Sequence, residues 1–451
     1  MYLKSSPKTD RKGGNRIIAY VIILAIAATA LSGCNKITDV IKGERDKITT
    51  QTTPGAIQVI DMNGDVHETS VDVIDAAEAE DDDSHALPAR SLAEVATNLS
   101  FSDATNFAYS ELDDSCRICY TEIYAILSDM LEKVELSSLD TDEVDLAFRA
   151  VMVDHPEIFY VKGYSIGKYM SGNVLKKIVF SGTYTMPKDR AQAAAKRVDD
   201  YVQRVIDGAP KDTGDFEKIK YVYDYLIRNN EYVLDSENNQ NILSVVDNGK
   251  TVCQGYTKAM QLILNRMGIF CTLVNGKACG RNGVPDAEEL KNSQNAEWGG
   301  HVWNIVKCNG MFYNVDVTWG DAAITLMNTD GSLTSDIDVN YEFFLVDDAE
   351  LIGTHDPEPV VRMPWCNTME DNYYNHEGVY FTKVDTGQLY RAFESAYASG
   401  DTHVFLKASS DDVFKALKVH LFDDQNIFEY LGRTNVRYVE FAERNLIMIS
   451  L

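Results

Sequence analysis

Basic side chains are in short supply. Lys and Arg number 42 against 69 Asp and Glu in 451 residues, a formal net charge of −27. Nucleic-acid binding needs a basic footprint that this balance does not supply, and direct adhesion to anionic lipid is disfavoured for the same reason. The apolar run Ile17 to Leu31 has 15 residues, short of the ~20 that a spanning helix requires. Also missing are an EF-hand loop, a phosphate-binding glycine loop and a dinucleotide fingerprint, so nothing calls for a cofactor or a metal. Cys116-Arg117-Ile118-Cys119 has no second CxxC to accompany it, so two solvent-side or packing thiols at the start of a helical segment are expected there rather than a zinc or redox site. No internal repeat is evident.

What is present begins with an address. Lys4, Lys8, Arg11, Lys12 and Arg16 precede the apolar run, and Leu31-Ser32-Gly33-Cys34 follows it. This order resembles a bacterial lipoprotein signal, in which cleavage leaves Cys34 as the first residue with lipid on its sulfur. Loss of residues 1–33, which carry five basic residues and Asp10, would leave a formal charge of −31. Residues 35–90 are poor in aromatics, and Glu78-Ala79-Glu80-Asp81-Asp82-Asp83 is a block of like charge. Such a segment reads as an extended, acidic, disordered tether over 34–90.

Chemistry is concentrated further on. Cys253 lies in Thr251-Val252-Cys253-Gln254-Gly255-Tyr256, where Thr251 and Gln254 have the spacing of a capping box. Tyr256, Met260, Ile263, Leu264 and Met267 recur at helical spacing, predicting a helix from about Val252 to Met267 that Gly268 stops. A thiol in the first turn of a helix meets the positive end of the macrodipole, which favours the thiolate nucleophile. Then, 48 residues later, His301 opens a hairpin. His301 to Cys308 and Met311 to Trp319 flank Asn309-Gly310, a turn whose two residues tolerate positive φ. A two-residue turn fixes the register, with Cys308 facing Met311, Trp303 facing Asp316 and His301 facing Thr318. Val302, Val306, Met311, Tyr313, Val315 and Val317 then share a core face, and His301, Trp303, Asn314, Asp316 and Thr318 share the other. His301 and Asp316 become diagonal neighbours, within reach of an imidazole–carboxylate hydrogen bond. Asn314 is the alternative orienting residue, two positions further away.

Val252 to Tyr256, Gly300 to Asn304 and Phe312 to Trp319 together resemble the three core motifs of the transglutaminase-like superfamily. The resemblance covers roughly Asp215 to Asp348. It implies a papain-like α+β fold in which a helix bearing Cys packs on an antiparallel sheet bearing His and Asp. It implies roles as well: Cys253 as nucleophile, His301 as base and acid, Asp316 as orienter. The activity it implies is thiol-dependent acyl transfer or hydrolysis on a protein or peptide substrate. The competing class is an idle adhesion or scaffold module that keeps the fold. The Cys253 backbone N–H is expected to form half of an oxyanion hole. Tyr232 is a candidate for the other half, and Trp298, in a Gly-rich loop just before His301, for lining the substrate cleft. Tyr256, Trp303 and Trp319 read as core aromatics, and His155, in Asp154-His155-Pro156, as a turn residue.

Around the catalytic domain, expected at 210–348, the chain divides into a small α+β domain at 91–207 and a C-terminal wrap and small α+β region at 349–451. In the first, helical periodicity runs from Ser115 through Val153. Ile158 to Val161 and Val174 to Tyr184 read as strands, and Pro187 to Ile206 as a helix. In the second, an irregular stretch to about 375 precedes a strand, helix, strand, strand order from about Val404 to Leu451.

Overall fold

The structure, a computed structural model, describes residues 99–279 and 298–451 except 103–104, 172, 322–323, 328–332 and 338, together with short strands at 16–17, 23–25, 57–61 and 66–69. Lipidation at Cys34 and the acidic block at 78–83 therefore lie outside the described residues.

The N-terminal unit packs helices on one five-stranded sheet. Asp113 caps the helix Asp114–Asp129 by accepting from the Cys116 N–H, and Asp140 caps Thr141–Asp154 by accepting from Asp142 and Glu143. The continuous periodicity from 115 to 153 is thus two helices, the first closed by Met130 in the left-handed region at φ 53°. Strands Val161–Ser171 and Val174–Tyr184 form the central hairpin. Residues 158–160, expected as strand, form a turn instead, because the Ile158 N–H bonds His155 O and the Val161 N–H bonds Ile158 O. The helix Lys188–Gly208 starts after Pro187, whose fixed φ suits a helix entry. One expectation is corrected outright. Strands Ile57–Asp61 and Val66–Thr69 lie within the stretch read as tether, yet they pair with each other, and Ile57–Asp61 pairs with Val161–Ser171, the middle strand of the five.

Eight of the elements in the middle of the chain position the site. They are α1 (Asp215–Asn229), α2 (Cys253–Arg266), β1 (Cys271–Cys279), β2 (Trp298–Cys308), β3 (Met311–Val315), α3 (Val317–Gly320), β4 (Phe344–Val346) and β5 (His355–Pro357). The sheet is antiparallel in the order β4-β3-β2-β1-β5. Its outermost strand, β5, comes from beyond 348, so the expected boundary there cuts the sheet. The turn Asn309-Gly310 has positive φ at both residues, 48° and 91°, as a type I′ hairpin demands. Cys308 faces Met311 and Asn304 faces Val315 as expected.

The expected ladder does not continue to Trp319. Strand β3 ends at Val315, and Asp316 turns the chain into α3 by accepting from the Trp319 N–H. Trp303 and Asp316 therefore do not pair. Both faces of the sheet are buried. Val302, Val306, Tyr313 and Val315 join the large core under α1 and α2, and Val274, Trp303, Ile305 and Val346 form a smaller core behind. Each such large apolar side chain contributes roughly 1.5–3 kcal/mol by leaving water. Met311, expected in the core, is 41% exposed because it flanks the turn. The C-terminal unit has its own core and a sheet of Tyr380–Phe381, His403–Ala408, Leu446–Ser450 and Tyr438–Phe441, in that spatial order. The helix Thr386–Ser399 in that unit has no counterpart in the expected order. The unit is tied to the middle one by Lys407 on Glu350 at 3.0 Å and by Arg444 on Glu342. Among the described residues no helix is long and apolar enough to cross a membrane.

Candidate active site

Helix α2 places the thiol. Cys253 is its first residue, half-buried, and helix geometry leaves its N–H without an intrahelical acceptor. The capping box does not form. Val252 is the N-cap and makes no side-chain cap bond, while the Thr251 hydroxyl accepts from Ser244 Oγ at 2.6 Å. The reason lies in Gly255. A Cβ there would meet Thr251 Oγ1 at 1.8 Å and Ser244 Oγ at 2.8 Å, so the hydroxyl pair is packed directly under the first turn. Thr257 Oγ1 donates to Val302 O at 3.2 Å, and Asn304 Nδ2 donates to Thr257 O at 3.1 Å. These two bonds pin α2 to the strand that carries His301.

His301 and Asp316 meet at 2.6 Å through Nε2 and Oδ2, buried at 8% and 1% side-chain exposure. With Nε2 donating to the carboxylate, Nδ1 is the ring nitrogen left over, and the Cys253 thiol acts on the same ring to favour its protonation. Burial works against charge on His301, but the Asp316 carboxylate and then Cys253 overcome it and raise its pKa. Asp316 is held well below the usual carboxylate range; burial opposes this, and the charge and hydrogen bond of His301 outweigh it. Asn314, the alternative orienter, is engaged elsewhere. Its Oδ1 accepts from Trp303 Nε1 at 3.1 Å and its Nδ2 donates to Asp348 at 2.9 Å.

A second imidazole completes the cluster. His355 Nε2 lies 3.1 Å from the same Asp316 Oδ2, and its ring is walled by Trp319, Trp303 and Phe343 at centroid distances of 4.8, 5.1 and 5.2 Å. Sequence reasoning missed His355, which sits in a segment read as irregular wrap. No periodicity or turn announces it. The donor atoms of His301, Asp316 and His355 lie within 4.8 Å of one another, close enough for one divalent ion. They already satisfy each other by hydrogen bonds, so the arrangement is complete as a relay. Lys258, also missed, is buried on α2 with its ammonium on Gln240 O at 3.2 Å, and burial pushes its pKa down to about 8.

The remaining candidates divide. Tyr256 is fully buried and donates to Asp321 Oδ2 at 2.6 Å, a core aromatic with a polar anchor. Tyr232 pairs with Thr251, two residues before Cys253, and its backbone N–H goes to the Asp321 carboxylate. Trp298 is the half-buried first residue of β2, opposite Cys279 and three residues before His301. His155 caps its helix at the expected turn and bonds Tyr120 at 2.8 Å and Glu157 at 2.6 Å. Cys116, Cys119, Cys253, Cys271, Cys308 and Cys366 are free thiols, and all but Cys253 are buried.

Residues 199–317 match the transglutaminase-like superfamily. The matched stretch includes Cys253, His301 and Asp316 and stops short of His355. The fold is mixed α and β, and the matched stretch contains the helix and most of the antiparallel sheet that carry these residues. No curated protein matches the chain. Among solved structures, a TGase aligns at 15% identity over 41% of this chain and 50% of its own, with a TM-score of 0.22. A Cytophaga hutchinsonii protein assigned as a cysteine protease aligns at 11% identity over 34% of this chain and 61% of its own, TM-score 0.21. A Parabacteroides distasonis protein assigned as a protease aligns at 13% identity over 37% and 34%, TM-score 0.19. The chain thus spans less than two thirds of each.

Proposed function

We propose that the protein is a thiol-dependent acyl-transfer enzyme acting on carboxamide or peptide carbonyls of proteins or peptides. The observation that carries this reading is the convergence of Cys253, His301 and Asp316, with the buried imidazole bonded to the carboxylate and its protonation favoured by both the carboxylate and the Cys253 thiol. At neutral pH a protonated His301 beside the sulfur favours a thiolate–imidazolium pair. The sulfur of Cys253 attacks the carbonyl carbon, forming a C–S bond while the carbonyl π pair moves to oxygen. The Cys253 N–H is placed to donate to that oxyanion. Collapse breaks the C–N bond, and His301 gives its proton to the departing amine. Neutral His301 then takes a proton from water or from an acceptor amine, which attacks the thioester and frees the thiol. Asp316 keeps the imidazole in the required tautomer throughout. Trp298 lines the approach to this site, and Tyr232 borders it on the α2 side.

The setting belongs to the same proposal. Lipid on Cys34 anchors the enzyme outside the cytoplasmic membrane, supported by the basic, apolar and small-residue order of 1–34. If Cys34→Ala leaves membrane association and processing unchanged, the anchor is refuted.

The test of the chemistry uses a glutamine-containing peptide with and without a fluorescent primary amine. The wild type incorporates the amine, or releases ammonia or cleaved peptide without it, and Cys253→Ala does none of these while keeping its fold. Equal products from both proteins would refute the reading, and no product from either would favour a non-catalytic scaffold.

A further inference from the structure

We propose that His355 is a positioning residue, a neutral second donor that holds the Asp316 carboxylate in place for His301. The inference rests on the triad reading above.

Asp316 is 1% exposed, so each lone pair needs a partner inside the protein. Oδ1 is taken by the Trp319 N–H at 3.0 Å. Oδ2, the oxygen that serves His301, also faces His355 Nε2 at 3.1 Å. A carboxylate oxygen only accepts, so Nε2 of His355 carries the proton. The other ring nitrogen faces Thr354 Oγ1 at 2.9 Å. The Thr354 hydroxyl also lies 3.0 Å from Leu351 O, so its single hydrogen is shared between that carbonyl and Nδ1, which accepts when the ring is neutral. What the geometry fixes is the donation from His355 Nε2 to Asp316.

The surroundings keep the ring neutral. The charged groups acting on His355 are Asp316, His301 and Arg444, the last lying over Phe343 at 5.1 Å and paired with Glu342. Burial, His301 and Arg444 all disfavour a proton on His355, and only Asp316 favours one; the balance lowers its pKa. A neutral donor is what the site requires. It anchors the carboxylate without adding a positive charge that would repel the His301 imidazolium. Its placement is backbone-determined, since His355 pairs with Ala278 at the sheet edge and Gly276 admits the crossing. A Cβ on Gly276 would lie 2.4 Å from Asp356 O.

Two substitutions separate donation from packing. His355→Phe keeps a flat ring of similar bulk and removes the donor. His355→Gln loses the ring and restores an N–H near the Nε2 position. The readout is the rate of Cys253 alkylation by iodoacetamide at pH 6, with folding checked by thermal melting. His355→Phe is expected to slow alkylation about tenfold or more, the scale of a lost hydrogen bond to a charged group, while His355→Gln stays within about threefold of wild type on the same scale. Wild-type rate in His355→Phe, or a slow His355→Gln beside a normal His355→Phe, overturns the proposal in favour of packing. Equal slowing in both also overturns it. A wild-type rate that is changed by EDTA or added zinc, with the change lost in His355→Phe, overturns it in favour of a metal at His301, Asp316 and His355. The triad reading fails separately, if the wild type itself alkylates no faster than glutathione at pH 6.

Discussion

Asp316 and His301 meet at the end of a strand, 2.6 Å apart, where the carboxylate both orients the imidazole and caps α3 through its other oxygen. Asparagine preserves the cap, because an amide oxygen still accepts from Trp319 N–H. It cannot stabilise an imidazolium. Asp316→Asn should therefore fold normally and remain alkylatable at Cys253, though at pH 6 no faster than His355→Phe, and should lose turnover by about 10³–10⁴-fold. Asn314→Ala should do the reverse, lowering thermal stability through Trp303 and Asp348 and sparing most of the rate. Steady-state kinetics alongside melting curves on the two variants checks this.

The pair also sets a pH dependence. Asp316 is depressed, so its contribution to stability is present above the unfolded carboxylate value near ~3.9 and is lost as pH falls. His301 is raised, so its contribution is full below the unfolded imidazole value near ~6.5 and is lost as pH rises through its folded value. Wild type minus Asp316→Asn stability, from urea unfolding at several pH values, should peak between these limits. A flat difference would show that the pair is not charged.

Gly255 should resist any side chain. The Thr251 and Ser244 hydroxyls occupy the place of its Cβ, so Gly255→Ala must lift the first turn of α2. The expected cost is about 1–3 kcal/mol, with a loss of turnover larger than the loss of folded protein because Cys253 moves too. Denaturant melts alongside rates normalised to folded fraction separate the two effects.

Lys258 carries a different signature. Burial depresses its pKa to about 8, against ~10.4 in the unfolded chain. The unfolded state binds more protons between these values, so stability rises with pH across that window. In Lys258→Met the rise should shrink by up to about 1.4 kcal/mol per pH unit between 8 and 10. Parallel slopes for wild type and variant would mean that the ammonium is solvated.

Much of the site could be read from the chain because it depends on local rules. The Asn309-Gly310 turn sets a register that places His301 and Asp316 at one end of the hairpin, and helical spacing places Cys253 in the first turn of α2. Where the reading failed, a nearby group competed. By hairpin register Asp316 reads as a strand residue, but its carboxylate captures the Trp319 N–H and starts a helix. By spacing Thr251 reads as a cap, but Ser244, seven residues earlier, claims its hydroxyl. His355 could not be found because its contact with Asp316 spans 39 residues and depends on an edge strand of only three. The hairpin at 57–69 was obscured by the acidic composition of the segment around it.

The central claim is that Cys253 works as a thiolate beside His301. The most direct measurement is peptide-resolved alkylation by iodoacetamide at pH 6 in the native wild type and in His301→Ala. Cys253 should react before Cys116, Cys119, Cys271, Cys308 and Cys366, which are buried, and faster than glutathione under the same conditions, with the advantage lost in His301→Ala. If Cys253 in the wild type reacts no faster than glutathione, or if His301→Ala leaves its rate unchanged, the account is contradicted.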